Sequence, residues 1–122
     1  IKMIQKLCTP HNVNAFGMRF AKAIIEEPNM IQELIDKHKE GREYLTSFLS
    51  ENNYSFSALN GNFMFVKPKT DPELLVKKMK DEKHILIKVY NGIGNLGKCL
   101  RITTGEKSAM IEFVNALKEL DN

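Results

Sequence analysis

The chain has 122 residues, of which 43% are hydrophobic; that is enough for one compact domain with a core and too few for two ordinary ones. Its 18 Lys and Arg against 15 Asp and Glu leave a formal net charge of +3, a mild field that singles out neither nucleic acid nor an anionic membrane and suits a small anionic ligand equally well. Cys8 and Cys99 stand far apart without close-spaced partners, which excludes a disulfide framework or a zinc site and fits a reduced, cytoplasmic protein.

Residues 1–9 read as part of an amphipathic segment, and a chain that opens on Ile1 is expected to be a fragment. After Pro10, the segment Val13 to Glu26 places Phe16, Phe20 and Ile24 at helical spacing, with Asn12 or Asn14 as the cap and Pro28 as the stop. Asn29 then caps a longer helix whose stripe is Ile31, Leu34, Ile35, His38, Leu45, Phe48 and Leu49, ended by Asn52 and Asn53. From Tyr54 the period falls to two, with Phe56 and Ala58 alternating against serines. The Asn60-Gly61 pair is a turn signal, and Asn62 to Val66 is a second strand. Thr70-Asp71-Pro72 starts a helix, with Thr70 as cap and Leu74, Leu75 and Met79 as its stripe. Ile85 to Tyr90 and Cys99 to Thr103 read as strands, Asn91 to Lys98 as a loose loop, and Ser108 to Leu120 as the closing helix. The order helix, helix, strand, strand, helix, strand, strand, helix predicts an α+β domain, a small sheet of about four strands with helices packed on it.

Arg101 is the most informative residue. A permanently charged guanidinium inside the strand-like run Cys99 to Thr103 either snorkels to an edge or faces a cleft and holds an anion. Lys88 is a second cation inside an apolar strand run, and the two can stand on neighbouring strands and converge on a ligand with two anionic groups. Gly92-Ile93-Gly94-Asn95-Leu96-Gly97 has the spacing of a dinucleotide fingerprint, but a strand follows where that motif requires a helix N-terminus. The scattered histidines His11, His38 and His84 show no metal-ligand spacing, and His38 is expected to pack as a helix residue. Cys8 and Cys99 are expected to be small hydrophobes. Lys77, Lys78, Lys80 and Lys83 alternate with acids as a solvated face.

The ordered set of motifs resembles the carboxyl-terminal third of fold-type I, pyridoxal-phosphate-dependent aminotransferases, most closely those similar to histidinol-phosphate aminotransferase. Leu100-Arg101-Ile102-Thr103-Thr104-Gly105 resembles the carboxylate-binding arginine motif, and Pro10-His11-Asn12-Val13-Asn14 the Pro-Tyr-Asn-Val-Asn stretch after the large domain. Arg42 with Tyr44 and Leu45 resembles a helix carrying Glu-Arg, with Gly41 in place of the acid, and Gly61 to Val66 resembles the Ala-Asn-Phe strand. The resemblance implies a single small domain, with residues 1–11 as the end of a linker and 12–122 as the domain proper. It implies that pyridoxal phosphate is held by a lysine and an aspartate of a large domain whose motifs this chain lacks, so that the chain contributes no catalytic, cofactor-binding or metal-binding residue and is inactive alone. Arg101 would bind the carboxylate of an amino acid or amino-phosphate. Lys88, where the histidinol-phosphate branch has a phosphate-binding arginine, would supply a point charge for a phosphate or second anion. The implied partners are the large domain and a second copy in a homodimer, with no nucleic acid and no membrane. Alternatives are a decarboxylase of phosphorylated amino acids with the same fold, a non-catalytic α+β anion-binding or dimerisation module, and a sheet that binds RNA through Phe63 and Phe65, which instead read as core residues.

Overall fold

A computed structural model describes residues 13–57 and 61–122. Cys8, His11, the expected linker through residue 11, Ala58 and Asn60 of the predicted turn lie outside them. The chain falls into two compact units, 1–35 and 36–122.

In the first unit, helix α1 spans Ala15–Ile25. Asn14 caps it, its side chain accepting a hydrogen bond from the Gly17 N–H at 2.7 Å, one of the two caps the sequence suggests. None of its side chains is buried, and Phe16 and Phe20 stack in the open. Helix α2, Pro28–Glu51, begins one residue before its expected cap. Pro28 is thus the first helical residue, where its missing N–H costs nothing and its fixed φ suits the turn.

The second unit holds the core. Only Gly41, Leu45, Phe48 and Leu49 of α2 are buried; His38 is exposed, against the expectation that it packs. Strands β1 (Ser55–Ser57), β2 (Phe63–Lys67), β3 (Lys88–Tyr90) and β4 (Cys99–Thr103) form one antiparallel sheet in the order β1-β2-β4-β3. Met64, Val66, Leu100 and Ile102 face the buried side chains of α2, of α3 (Pro72–Lys83) and of α4 (Lys107–Leu120). The expected α+β layer of four strands and helices is the observed one.

Two local features differ from expectation for identifiable reasons. Asp71, not Thr70, caps α3: its carboxylate accepts from the N–H groups of Glu73 and Leu74. Thr70 turns instead to the buried carboxylate of Asp121, which accepts from the Thr70 hydroxyl at 2.6 Å, the Thr70 N–H at 2.8 Å and the Lys69 N–H at 3.1 Å. Strand β3 begins only at Lys88, because His84 ends α3 in a left-handed conformation and the Ile85 N–H returns to the Met79 carbonyl. Ile85 and Ile87 then pack on the core without joining the ladder.

Gly41 has a steric role. A Cβ there would lie 2.0 Å from the carbonyl oxygen of Gly105, so α2 and the turn before α4 touch backbone to backbone. Beside it, the Arg42 Nη2 donates to the Thr104 hydroxyl at 3.5 Å, and the Thr104 N–H donates to the Asn62 carbonyl at 2.9 Å.

Two outcomes follow from these contacts. Gly41→Ala should lower the unfolding free energy by about 1–3 kcal/mol in urea denaturation, because neither backbone can retreat without disturbing the core. Burial, reinforced by the Asp121 carboxylate, raises the Tyr54 hydroxyl above the ordinary tyrosine value of 10.0. The folded state therefore keeps a proton that the unfolded state loses, so stability is complete below pH 10.0 and falls as pH rises beyond it. Tyr54→Phe should flatten that alkaline decline in urea midpoints measured against pH.

Candidate anion-binding site

Alternation along β4 sends Leu100 and Ile102 into the core and leaves Cys99, Arg101 and Thr103 on the opposite face. The register then sets the neighbours of Arg101. Phe65 of β2 stands directly opposite on one side and Lys88 of β3 on the other. The two cations that the sequence singled out are therefore cross-strand partners on one face, with Cβ atoms roughly 5 Å apart.

Like charges in such a pair repel and destabilise a sheet. No carboxylate among the described residues forms an ion pair with either of them. What supports the guanidinium is aromatic: it lies 4.1 Å from the Phe63 ring centroid and 5.9 Å from that of Tyr90. Its Nη1 donates to the Tyr90 hydroxyl at 3.3 Å, whereas Nε is buried with no acceptor. Lys88 Nζ sits 5.3 Å over the Tyr90 ring. Phe65 packs edge-on against both Phe63 and Tyr90, completing the bed beneath the charges. Phe63 and Phe65 thus belong to the charged face and not to the helix-packed core that the sequence suggested.

The hydrogen bond from Arg101, more than any other influence, lowers the Tyr90 hydroxyl below the usual tyrosine range; Lys88 acts in the same direction and burial opposes both. Cys99 is fully buried, as expected of a small hydrophobe, and that burial raises its thiol.

Leu86, Ile87, Lys88, Arg101 and Thr103 line a recess of about 420 Å³. An adjoining recess of about 250 Å³ shares Arg101 and extends to Met110, Glu112 and Phe113 of α4. Two cations, a planar donor fork and apolar walls suit a small molecule bearing one or two anionic groups. Among the described residues there is no cluster of three or more metal-ligating side chains. Gly92, Gly94 and Gly97 all take positive φ around a short 3₁₀ turn, Gly94–Leu96, and β4 follows at Cys99. The loop therefore lacks the helix a dinucleotide fingerprint needs.

Lys88 and Arg101 are brought together as anticipated, whereas Arg42 lies elsewhere, joining α2 to Thr104. Sequence reasoning missed Tyr90 and Phe63. Both were within reach, since Tyr90 lies two residues from Lys88 in one strand and so shares its face.

The family model described as Aminotransferase class I and II matches residues 1–117. Histidinol-phosphate aminotransferase 2 of Hydrogenovibrio crunogenus is 26% identical over 120 residues, covering 98% of this chain and 32% of that protein. The histidinol-phosphate aminotransferase of Thermotoga neapolitana is 29% identical over 113 residues, covering 92% of this chain and 31% of that one. A crystal structure from Erwinia carotovora atroseptica SCRI1043, assigned as a histidinol-phosphate aminotransferase, superposes with a TM-score of 0.74 at 20% identity, over 88% of this chain and 30% of that one. This last likeness is one of fold. The chain spans about a third of the length of these relatives.

The tyrosine environments give a direct check on the site. In an ultraviolet difference titration of the protein against its Tyr90→Phe variant, Tyr90 should ionise below the ordinary value of 10.0, and Arg101→Ala should move that ionisation upward.

Proposed function

The chain belongs to the class I and II aminotransferase family, and on that premise we propose that it is the carboxyl-terminal small domain of a pyridoxal-phosphate-dependent, histidinol-phosphate aminotransferase-like enzyme. Residues 1–11 are the end of the linker in this reading and residues 12–122 the small domain. The enzyme transfers an amino group from an amino acid or amino-phosphate in the cytoplasm, as a homodimer. The observation that supports this is the pair Arg101 and Lys88, cross-strand neighbours bordering a recess, with no ion pair to either among the described residues.

The residues described do not fit the cofactor itself. No lysine among them is buried, and the recess at Lys88 and Arg101 is lined by no acidic side chain that could pair a pyridine nitrogen. Pyridoxal phosphate is therefore assigned to the large domain of the same polypeptide, and this chain by itself is inactive. Its exposed α1 face, with Phe16 stacked on Phe20, is the kind of apolar surface a second domain covers.

What Arg101 does is bind and orient. Its guanidinium offers two parallel N–H donors to the substrate carboxylate, which fixes both the position and the rotation of the amino acid. Lys88 holds a second anionic group, a phosphate in a phosphorylated substrate, through a single charge without a required plane. Leu86 and Ile87 border both contacts with apolar side chains.

In the full-length enzyme, Arg101→Ala should lower kcat/KM for the amino donor by about 100-fold or more, the effect of two charge-assisted hydrogen bonds, and Arg101→Lys should restore only part of it. Unchanged kcat/KM would remove Arg101 from the substrate site. Release of carbon dioxide in place of amino transfer would move the reading to the related decarboxylase.

A further inference from the structure

Tyr90 occupies an unusual position for a residue at the end of a short edge strand. It shares a face with Lys88, its ring packs on Phe65, and Lys88 Nζ lies over that ring at 5.3 Å. Its hydroxyl accepts the Arg101 Nη1 hydrogen bond at 3.3 Å. A phenol that accepts from a guanidinium still has its own proton to donate. No hydrogen bond among the described residues takes that proton, and the charges around it are cations. The one kind of group that suits both the O–H and the two cations is an anion.

The hydrogen bond has a second effect. Contact with a ring face, such as that of Phe63 at 4.1 Å, does not by itself choose the direction of the N–H groups. A hydrogen bond at Nη1 does, because one edge of the fork is then held and the remaining N–H groups point in set directions.

We propose that Tyr90 is a positioning residue of the anion site: its ring and oxygen lock the Arg101 guanidinium, and its O–H supplies a further donor to the anion that Arg101 holds. The inference rests on the proposed reading of Arg101 as the substrate-carboxylate residue. It adds that recognition is shared by a third side chain, and that the carboxylate meets a fork already oriented before it arrives.

The test is a double-mutant cycle in the full-length enzyme, read as kcat and KM for the amino donor. Tyr90→Phe keeps the ring and removes the hydroxyl; it should lower kcat/KM about tenfold, most of it through KM. In an Arg101→Ala background the same change should cost less than about twofold, because the two side chains act as a unit. Equal losses in both backgrounds, or no loss in either, would overturn the role of Tyr90 while leaving Arg101 in place. Arg101→Ala without effect would overturn the proposed function itself, and this inference with it. If Tyr90→Phe does not fold, Tyr90→Leu serves in its place and must show the same coupling.

Discussion

The arrangement depends above all on the pairing register of β2 and β4. Those strands form the centre of the sheet, and with Met64 opposite Ile102 and Val66 opposite Leu100 every large apolar side chain on the helix side is buried. Because strand side chains alternate, the same register obliges Arg101 to lie on the other face, between Phe65 and Lys88. A slip of one residue would drive a guanidinium into a core of Leu45, Leu117 and Phe113 with no acceptor to meet it. Core formation and site formation are therefore one event: the helices cannot be packed without presenting the cations.

The ends of the sheet are tied by contacts of other kinds. Near one side, the backbones of Gly41 and Gly105 meet and Arg42 reaches Thr104, which fixes α2 against the turn leaving β4. Near the other, Asp121 at the end of α4 gathers the Thr70 hydroxyl and two backbone N–H groups from the segment after β2. A buried carboxylate with that many donors is satisfied and not strained. Both ties hold helices against the sheet from the face opposite to Arg101, so the cationic face is left to its aromatic bed and the recess.

Much of this was legible in the sequence, and the boundary of legibility has physical causes. Helical and strand periods located the helices and strands of the described residues, because alternation and the 3.6-residue repeat mark an apolar face. Arg101 and Lys88 stood out because a charge inside an apolar run is costly unless it has a task. Elsewhere a local signal was outweighed by tertiary contact. Thr70 has good capping chemistry, yet the buried Asp121 claims it and the next residue takes over. His38 continues the helical stripe, yet the buried part of α2 begins only at Gly41. Phe63 and Phe65 have core composition, but which face of a strand meets the helices is decided by its neighbours and not by its own residues. Gly41, read as a departure from a family motif, is required by the backbone of Gly105, far along the chain, a fact that no local pattern contains.

The unpaired cations also have a thermodynamic side. Arg101 and Lys88 repel each other across adjacent strands, and the energy stored in that repulsion belongs to the folded state alone, since the unfolded chain holds the two charges far apart. In the proposed reading an anion held by both cations relieves that repulsion and binds only the folded form, so its occupancy adds to the folding free energy through mass action. On the proposed reading of the site, the resistance of the domain to unfolding and proteolysis follows the supply of that anion. A chain short of its ligand is a less durable chain.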